Sequence, residues 1–508
     1  MDARSREAGQ GRAAALALLR GAAPPAGRLL PSPAGPDAWI AFDEEIRRHG
    51  PDPLPEAAAA TFRTRLFAPL GRRLPEPPVE VLLCHPDGRV REAALGTPQP
   101  PPELVVIRCA DWAAAVREPA RRLLDRTLAD APAATLVALT PLVLRLARRE
   151  QGAWALALFE AALRTDPPLP AAPARRDPAR RPARPADPPR TVLARLCDGA
   201  DLPTRRYATR LTLDTPVLRD RLTVRDLARL AAAERDPANA AVWADATLGA
   251  LAAARRDDGG DGGDGGDRGD RGDRGDRGDD EAEAERDQAV DLLIGSPLPT
   301  VRAAGVTALR RAGRTAEGVS HLADRSPLVR ACARWLTAQD GGDPHDHYRR
   351  LASDPSGCSP HAVAGLAESG RTEDVPLLQG LLDHPSGAVR AAAVAGLRRL
   401  GADPDRSALL ALLDDPSPAA AREAGLSLRP VAEVLDTAHL LSRCTPKQPL
   451  HTRRAAFRLL LIQGGTAARQ AAESLSSDWE PALRHAARTY AAFHATGERT
   501  KRRGWLRR

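Results

Sequence analysis

The sequence predicts an all-α protein of the α-solenoid class, in which stacked helical pairs are interrupted by disordered linkers. Two observations indicate this. Only 3% of the 508 residues are aromatic although 43% are hydrophobic, so the core must consist mainly of Ala, Leu and Val, which suits close-packed helices. A motif around one arginine also recurs about every 30 residues in the C-terminal part of the chain, as in repeat proteins.

The recurring arginine marks out seven units. It stands in segments such as Val301-Arg302-Ala303-Ala304 and Val389-Arg390-Ala391-Ala392, and a degenerate copy near Ser359 fills the widest gap. The arginines themselves are Arg302, Arg330, Arg390, Arg422, Arg453 and Arg484. Because one helical pair cannot bury its own apolar face, the units must stack, and equivalent residues then align along one face.

Each unit has start and stop signals for its helices. A serine followed by proline or glycine opens a helix, since serine accepts from free backbone N–H groups and proline suits the first turn. These pairs begin at Ser296, Ser326, Ser386 and Ser417. A glycine ends the helix, and an aspartate closes the unit. The glycines are Gly313, Gly370, Gly401 and Gly464, and the aspartates are Asp324, Asp383 and Asp415.

The pattern Asp-x-x-Pro-x-Val-Arg-x-Ala-Ala at this period resembles HEAT repeats of the short bacterial phycocyanobilin-lyase-like type, over residues 285–497. The resemblance implies a protein-binding scaffold, since most members of the family serve this function. A lyase-type activity is implied less directly, because only some members have one. The segment from His85 to Ala94, with a related segment around Arg117, resembles leucine-rich-repeat-variant units. The iron–sulfur module of that family is not expected, because no cysteine cluster is present.

Two segments of biased composition divide the chain. Residues 166–190 contain nine prolines, which exclude a helix and predict a spacer. Residues 257–280 repeat Asp-Gly-Gly and Asp-Arg-Gly and should be disordered, because they have no apolar surface to bury. The predicted parts are a repeat-like helical segment 1–165, a Pro/Arg-rich linker 166–190, a degenerate helical segment 191–256, an Asp/Gly/Arg-rich linker 257–280, a HEAT-like solenoid 281–497 and a basic tail 498–508.

The formal net charge of +8 has two interpretations. Arg provides 72 of the 74 basic residues. A GC-rich genome encodes such an excess of arginine whatever the function of the protein, and this explanation is preferred. However, residues 257–280 carry a net charge of −6, so the rest of the chain carries +14. That excess is the basis of an alternative hypothesis, attraction to nucleic acid or another polyanion.

The arginine ladder is equally open to two interpretations. It could form a basic stripe that binds phosphates or an acidic partner. The preferred interpretation is structural: each arginine would pair bidentately with the loop aspartate before it, as Arg330 with Asp324, Arg390 with Asp383 and Arg422 with Asp415.

Other basic residues vary between units and are candidates for a basic surface. They could bind a partner or could only complement helix dipoles and keep the tail soluble. They are Arg310, Arg311, Arg398, Arg399, Arg454, Lys501, Arg502 and Arg503.

The sequence offers little chemistry. His345-Asp346-His347 is predicted to be a surface loop rather than a metal site, since no further spaced ligands converge on it. The six cysteines are scattered singly and are expected to be reduced, small buried residues. We expect no catalytic residue, cofactor or metal, because no G-x-S-x-G, P-loop, Rossmann or H-E-x-x-H motif occurs.

The predicted function is therefore a non-enzymatic scaffold that binds a protein through its concave face. One alternative is a nucleic-acid-associated repeat protein using its Arg-rich faces and basic tail, and another is a lyase-type enzyme by resemblance alone. We expect a monomer in the cytoplasm with no membrane span, since no apolar run is long enough to cross a bilayer.

Overall fold

The computed structural model describes the backbone of residues 3–20, 30, 34–49, 78–167, 191–258, 275–355, 357–402 and 405–505. Side chains are described for all of these except 3, 254–258, 275–279 and 495–505. Within this part of the chain the regular structure is helical and contains no strand, so the predicted all-α class is confirmed. The described residues fall into two compact units, 1–246 and 247–508.

The first unit contains twelve described α-helices and the first part of a thirteenth, which crosses the unit boundary. They are α1 (Ala3–Leu19), α2 (Pro36–His49), α3 (Val79–Leu83), α4 (Gly88–Ala94), α5 (Pro102–Cys109), α6 (Ala114–Asp130), α7 (Pro132–Leu146), α8 (Ala153–Leu163), α9 (Val192–Cys197), α10 (Leu202–Asp214), α11 (Pro216–Arg219), α12 (Val224–Ala233) and α13 (Pro237–Asp258).

Helix α7 lies at the centre of the first unit, where it packs against α2, α5, α6, α8, α9 and α10. It belongs to the longest uncharged stretch of the sequence, and a helix with few polar residues on any side is expected in a buried position. One hydrophobic cluster joins Phe42, Ile107 and Phe159 with Leu193 and Leu211. Residues on both sides of the predicted linker 166–190 therefore share a core.

The second unit contains thirteen further described α-helices and short 3-10 segments. The helices are α14 (Gly275–Ile294), α15 (Pro299–Leu309), α16 (Pro327–Gln339), α17 (Pro344–Ser353), α18 (Pro360–Glu368), α19 (Val375–Gly380), α20 (Gly387–Arg399), α21 (Arg406–Leu412), α22 (Pro418–Ser427), α23 (Thr437–Ser442), α24 (Leu450–Gln463), α25 (Gly465–Leu475) and α26 (Pro481–Trp505). The 3-10 segments are Thr315–His321, Thr372–Asp374, Leu381–Asp383 and Arg429–Val434.

Helices that carry equivalent residues of successive repeats stack directly on one another. Helix α18 packs on α20, α20 on α22 and α22 on α24, and α19, α21 and α23 pack against this row from the second layer. Small residues allow the close approach: a Cβ atom on Gly396 would lie 3.0 Å from that of Ala367, and one on Gly425 would lie 3.2 Å from that of Ala455. This stacking of helical pairs is an α-solenoid, as predicted.

The predicted stop signals of the repeat helices are confirmed, and the start signals are confirmed only in part. All four predicted glycines adopt φ between +67° and +78°, which side chains with a Cβ atom rarely adopt. Ser326, Ser386 and Ser417 stand at helix N-caps, but none of these side chains accepts a capping hydrogen bond, and α15 begins two residues after Pro297.

The predicted linkers and tail fall mostly outside the described residues. Of segment 166–190 only residues 166 and 167 are described, and of segment 257–280 the backbone of 257–258 and 275–280 belongs to α13 and α14. The backbone of α26 extends through the first part of segment 498–508, whose side chains are not described. Within the described residues, no helix is long and apolar enough to cross a membrane.

Candidate functional site

The recurring arginines form clamps between neighbouring repeats, and Arg390 shows the arrangement. Its Nη1 donates to the carbonyl oxygens of His384, at 2.7 Å, and Pro385, at 3.1 Å, in the turn before its own helix. Its Nε and Nη2 donate to the two carboxylate oxygens of Asp415, at 2.7 and 2.6 Å. Because Asp415 closes the following repeat, the guanidinium joins the turns of two repeats.

The same clamp recurs at three other ladder positions. Arg302 donates to both oxygens of Asp324, at 3.1 and 3.0 Å. Arg453 donates to Asp478 at 3.0 Å, and Arg330 donates to Glu368 through Nε at 3.2 Å. These arginines are at most 8% exposed, so their charge is used inside the protein.

The turn aspartates complete the clamps by three kinds of hydrogen bond. Asp324 accepts from Arg302 with its carboxylate, from the backbone N–H of Ser326 at 2.7 Å, and from Nη1 of Arg330 with its carbonyl oxygen at 2.7 Å. Asp478 is bound in the same three ways, by Arg453, Glu480 N–H and Arg484. The aspartate thus accepts from the backbone N–H of the N-cap residue itself, whereas the hydroxyl of Ser326 caps no N–H of the helix.

Hydrogen bonding keeps the clamp carboxylates ionised. Burial on its own would raise the pKa of Asp415, but hydrogen bonds from Arg390 and from the N–H of Ser417 outweigh it, and the pKa is lowered. The same balance lowers the pKa of Asp324, between burial and the hydrogen bonds from Arg302 and Ser326. The clamps therefore favour the charged state of both partners.

Each ladder arginine was predicted to pair with the carboxylate of the loop aspartate before it, and this prediction names the wrong carboxylate. Arg330 binds the carbonyl oxygen of Asp324 and takes its carboxylate from Glu368. Arg390 binds carbonyl oxygens of its own turn and does not pair with Asp383. The contacts between repeats, which the sequence does not display, supply the acidic partners.

Arg422 does not belong to the ladder. The clamp arginine stands six residues after the carbonyl that it binds, as Arg330 does after Asp324, and the sixth residue after Asp415 is Ala421. Arg422 is one residue further, which turns it about 100° around the helix. Its side chain is 69% exposed, with Glu423 at 3.9 Å, and His451 Nε2 contacts the carbonyl of Asp415 at 2.9 Å instead.

Arg484 forms half of a clamp. Its Nη1 donates to the carbonyl oxygen of Asp478 at 2.8 Å, six residues earlier. Among the described residues no carboxylate pairs with it. Its helix, α26, is the last described helix of the chain, so no later described repeat supplies an acid.

The first unit contains the same clamp at positions that we did not select as site residues. Arg91 is fully buried, donates to both oxygens of Asp111 at 2.9 Å and binds the carbonyl of His85 at 2.7 Å. Arg205 binds Glu234 at 3.2 Å and the carbonyl of Gly199 at 2.9 Å. The signal that could have identified both is an arginine six residues after a turn.

Of the five candidate basic-surface residues whose side chains are described, two have carboxylate partners. Arg398 contacts Glu423 at 2.5 Å, and Arg454 contacts Glu480 at 2.9 Å. Arg311 donates to the carbonyl of Leu248, and the guanidinium of Arg310 lies 5.4 Å from the ring centre of Trp335. Arg399 is exposed. Lys501, Arg502 and Arg503 lie outside the residues whose side chains are described.

Helix α16 presents an exposed apolar face. Leu328 and Trp335, which are 47% and 42% exposed, stand seven residues apart, and Ala331 and Cys332 lie between them on the same side of the helix. We call these four residues the α16 face. It contains no charged residue, although Arg310 stacks on Trp335 at its edge.

The structure gives the remaining candidates different surroundings. His345, Asp346 and His347 lie in helix α17 and not in the predicted surface loop. The six cysteines form no disulfide, and Cys84, Cys109 and Cys444 are buried as expected, but Cys197, Cys332 and Cys358 are only partly buried. Burial raises the pKa of Cys109, Cys197 and Cys444 to about 12, so these thiols are poor nucleophiles at neutral pH.

Comparisons with known proteins identify the repeat type. A family model described as HEAT repeats matches residues 360–429, which extend from α18 to the start of the 3-10 segment after α22. This segment of the chain is therefore similar to HEAT repeats. A crystal structure of an engineered protein is similar at 15% sequence identity and a TM-score of 0.19, covering 77% of this chain and 98% of that one. No curated protein matches the chain.

Proposed function

We propose that the chain is a non-enzymatic HEAT-repeat scaffold that binds a protein partner, with the α16 face as part of the binding surface on the concave side of the repeats. The exposed apolar residues of this face carry the proposal. Exposed aromatic and aliphatic side chains on one helix face are the kind of anchor that protein interfaces use. An uncharged stripe at positions i, i+3, i+4 and i+7 also suits an apolar helix or segment of a partner.

The clamps support the proposal by removing most of the ladder arginines from the candidates for phosphate binding. Four of the six ladder arginines have carboxylate partners and are nearly buried or flanked by carbonyl groups, so they cannot also bind phosphates. A nucleic-acid-associated function would depend on Arg399, Arg422 and the residues 498–508. The lyase-type alternative has no support beyond the resemblance, and the phycocyanobilin-lyase-like subtype remains a hypothesis.

Affinity purification of the tagged full-length protein tests the scaffold function. The informative variant is Leu328→Ser combined with Trp335→Ser, and the matched control is Val434→Ser, which removes an apolar side chain that is 67% exposed elsewhere in the second unit. We expect a partner that the wild type and the control retain and the double variant loses. A partner set identical for all three proteins would show that the α16 face is not the binding surface.

A further inference from the structure

A buried histidine at the start of α17 has one ring nitrogen without a partner. His345 is 3% exposed, and its Nε2 lies 2.7 Å from Oδ2 of Asp374, which is fully buried. Its Nδ1 has no hydrogen-bond partner. A buried polar atom left unpaired is costly, and such an atom in a folded protein requires an explanation.

The hydrogen bond to Asp374 determines which ring nitrogen can bind a ligand. An ionised carboxylate only accepts, so Nε2 carries the hydrogen and donates it. The neutral ring then presents its lone pair at Nδ1. A histidine that donates one N–H to a carboxylate while its other nitrogen is available is the usual arrangement of a metal-binding histidine, because the carboxylate holds the ring and raises its basicity.

Two carboxylates stand beside the free nitrogen. Oδ1 of Asp346 lies 3.7 Å from Nδ1 of His345, and donor atoms of Asp343, His345 and Asp346 all lie within 4.8 Å of one another. The side chains of Asp343 and Asp346 are 42% and 68% exposed, so an ion can reach the group from solvent. His347 belongs to neither of the donor groups found in the described residues.

We propose that Nδ1 of His345 and the carboxylates of Asp343 and Asp346 bind a divalent transition-metal ion, for which Zn²⁺ fits the donor chemistry, with Asp374 holding the imidazole. One imidazole and two carboxylates suit Zn²⁺ and leave a fourth position for water. Donors at about 2.0–2.1 Å from zinc lie roughly 3.3 Å apart, so the aspartates must move inward by about 1 Å. Asp346 is exposed and can do so by rotation, whereas Asp343 must first exchange a hydrogen bond, because its Oδ1 accepts from the backbone N–H of His345 at 2.8 Å.

The opposite side of the ring is the less suitable site. Nε2 of His345 also groups with Glu373 and Asp374, but its 2.7 Å hydrogen bond to Asp374 leaves no room for an ion between the two atoms. Arg371, which lies 3.2 Å from Asp343, and the positive N-terminal end of α17 both oppose a cation. We therefore expect micromolar rather than nanomolar affinity.

The site lies where the arginine clamp is missing. The turn before α18 contains Asp354, and the sixth residue after it is Pro360, which cannot act as a clamp. The hydrogen bond between His345 and Asp374 joins the first turn of α17 to the segment Thr372–Asp374, and a bound ion would fix the ring that makes this bond. The metal would thus brace the degenerate repeat in place of the arginine.

Calorimetric titration of the full-length, reduced protein with ZnCl₂ tests the proposal. Asp346→Asn removes a ligand, and Glu373→Gln is the matched control, since it neutralises a neighbouring exposed acid of the other donor group. We expect one zinc ion per chain, binding weakened about 10-fold or more by Asp346→Asn and unchanged by Glu373→Gln. Circular dichroism of the variants checks that both fold.

Three results would overturn the proposal. The full-length protein could bind no zinc at 1:1 stoichiometry, or Asp346→Asn could leave binding unchanged, which would place the ion at the cysteines or the Asp-rich segment 257–280. Stronger weakening by Glu373→Gln than by Asp346→Asn would place the ion on the Nε2 side. A shift of one histidine Nδ1 resonance on zinc addition, with its Nε2–H retained, would support the assigned nitrogen.

Discussion

A single arginine position determines whether its charge is used within the fold or remains at the surface. Six residues after the carbonyl of a turn, the side chain of an arginine reaches back to that carbonyl and across to the next repeat, as in Arg330 and Arg390. One residue further, at Arg422, it points into solvent. The position within the helix, and not the presence of arginine, separates clamp residues from candidates for binding.

Removing a clamp arginine should therefore destabilise the protein far more than removing Arg422. Arg453→Ala leaves Asp478, which is 3% exposed, without its cation, and an uncompensated buried charge costs about 3 kcal/mol or more. Arg422→Ala should change the free energy of unfolding by no more than about 0.5 kcal/mol. Urea unfolding followed by circular dichroism measures both. Equal midpoints for the two variants would contradict the clamp.

The clamp carboxylates predict how stability depends on pH. A carboxylate whose pKa is lowered on folding contributes stability that is complete above its unfolded pKa of about 3.9 and is lost as the pH falls through the folded value. Asp415→Asn should thus be less stable than the wild type at pH 7, and the difference should shrink as the pH is lowered below about 4. Asp383→Asn, whose carboxylate takes no part in a clamp, is the control. A difference that stays constant from pH 7 to pH 3 would be the contrary result.

At the scale of the helix, the local sequence predicted where helices end better than it predicted which residues of different helices meet. Glycines such as Gly401 end helices because a positive φ is a property of one residue, and these ends are where we expected them. The acidic partner of Arg390 is a property of two repeats, since Asp415 reaches it only after stacking. The sequence repeat thus predicted the ladder position, whereas the pairing and the displacement of Arg422 required the packed structure.

Close helix packing predicts opposite effects for two glycine substitutions. A Cβ atom on Gly305 of α15 would lie 2.7 Å from the backbone nitrogen of Ile294, so Gly305→Ala should destabilise the protein by about 1–3 kcal/mol. Gly249 of α13 has no atom within 4 Å of its Cβ position, and Gly249→Ala should stabilise the protein by about 0.5–1 kcal/mol. Thermal unfolding compares the two. A stabilising Gly305→Ala would disprove the tight contact between α14 and α15.

At the scale of the whole molecule, composition predicted the helical class but not the compact units. Residues 191–246 belong to the same unit as 3–165, because Leu193 and Leu211 complete a core with helices before the Pro-rich segment. Composition along the chain predicts a domain boundary wherever prolines accumulate. It cannot show which apolar faces meet on either side of them.

The distribution of charge predicts how strongly DNA binding by the protein depends on salt. Outside residues 257–280 the chain carries a net charge of +14, which ion pairs do not reduce, but the clamps remove four of the six ladder arginines from the stripe that would have aligned on one face. Once residues 498–508 are removed, the binding of labelled duplex DNA, measured by fluorescence anisotropy, should therefore depend only weakly on salt. A plot of the logarithm of the binding constant against the logarithm of the salt concentration should have a slope shallower than about −2. The full-length chain should lose on truncation whatever salt-dependent binding it shows. A steep slope that survives truncation would instead assign the binding to Arg399, Arg422 and their neighbours and favour the nucleic-acid alternative over the scaffold.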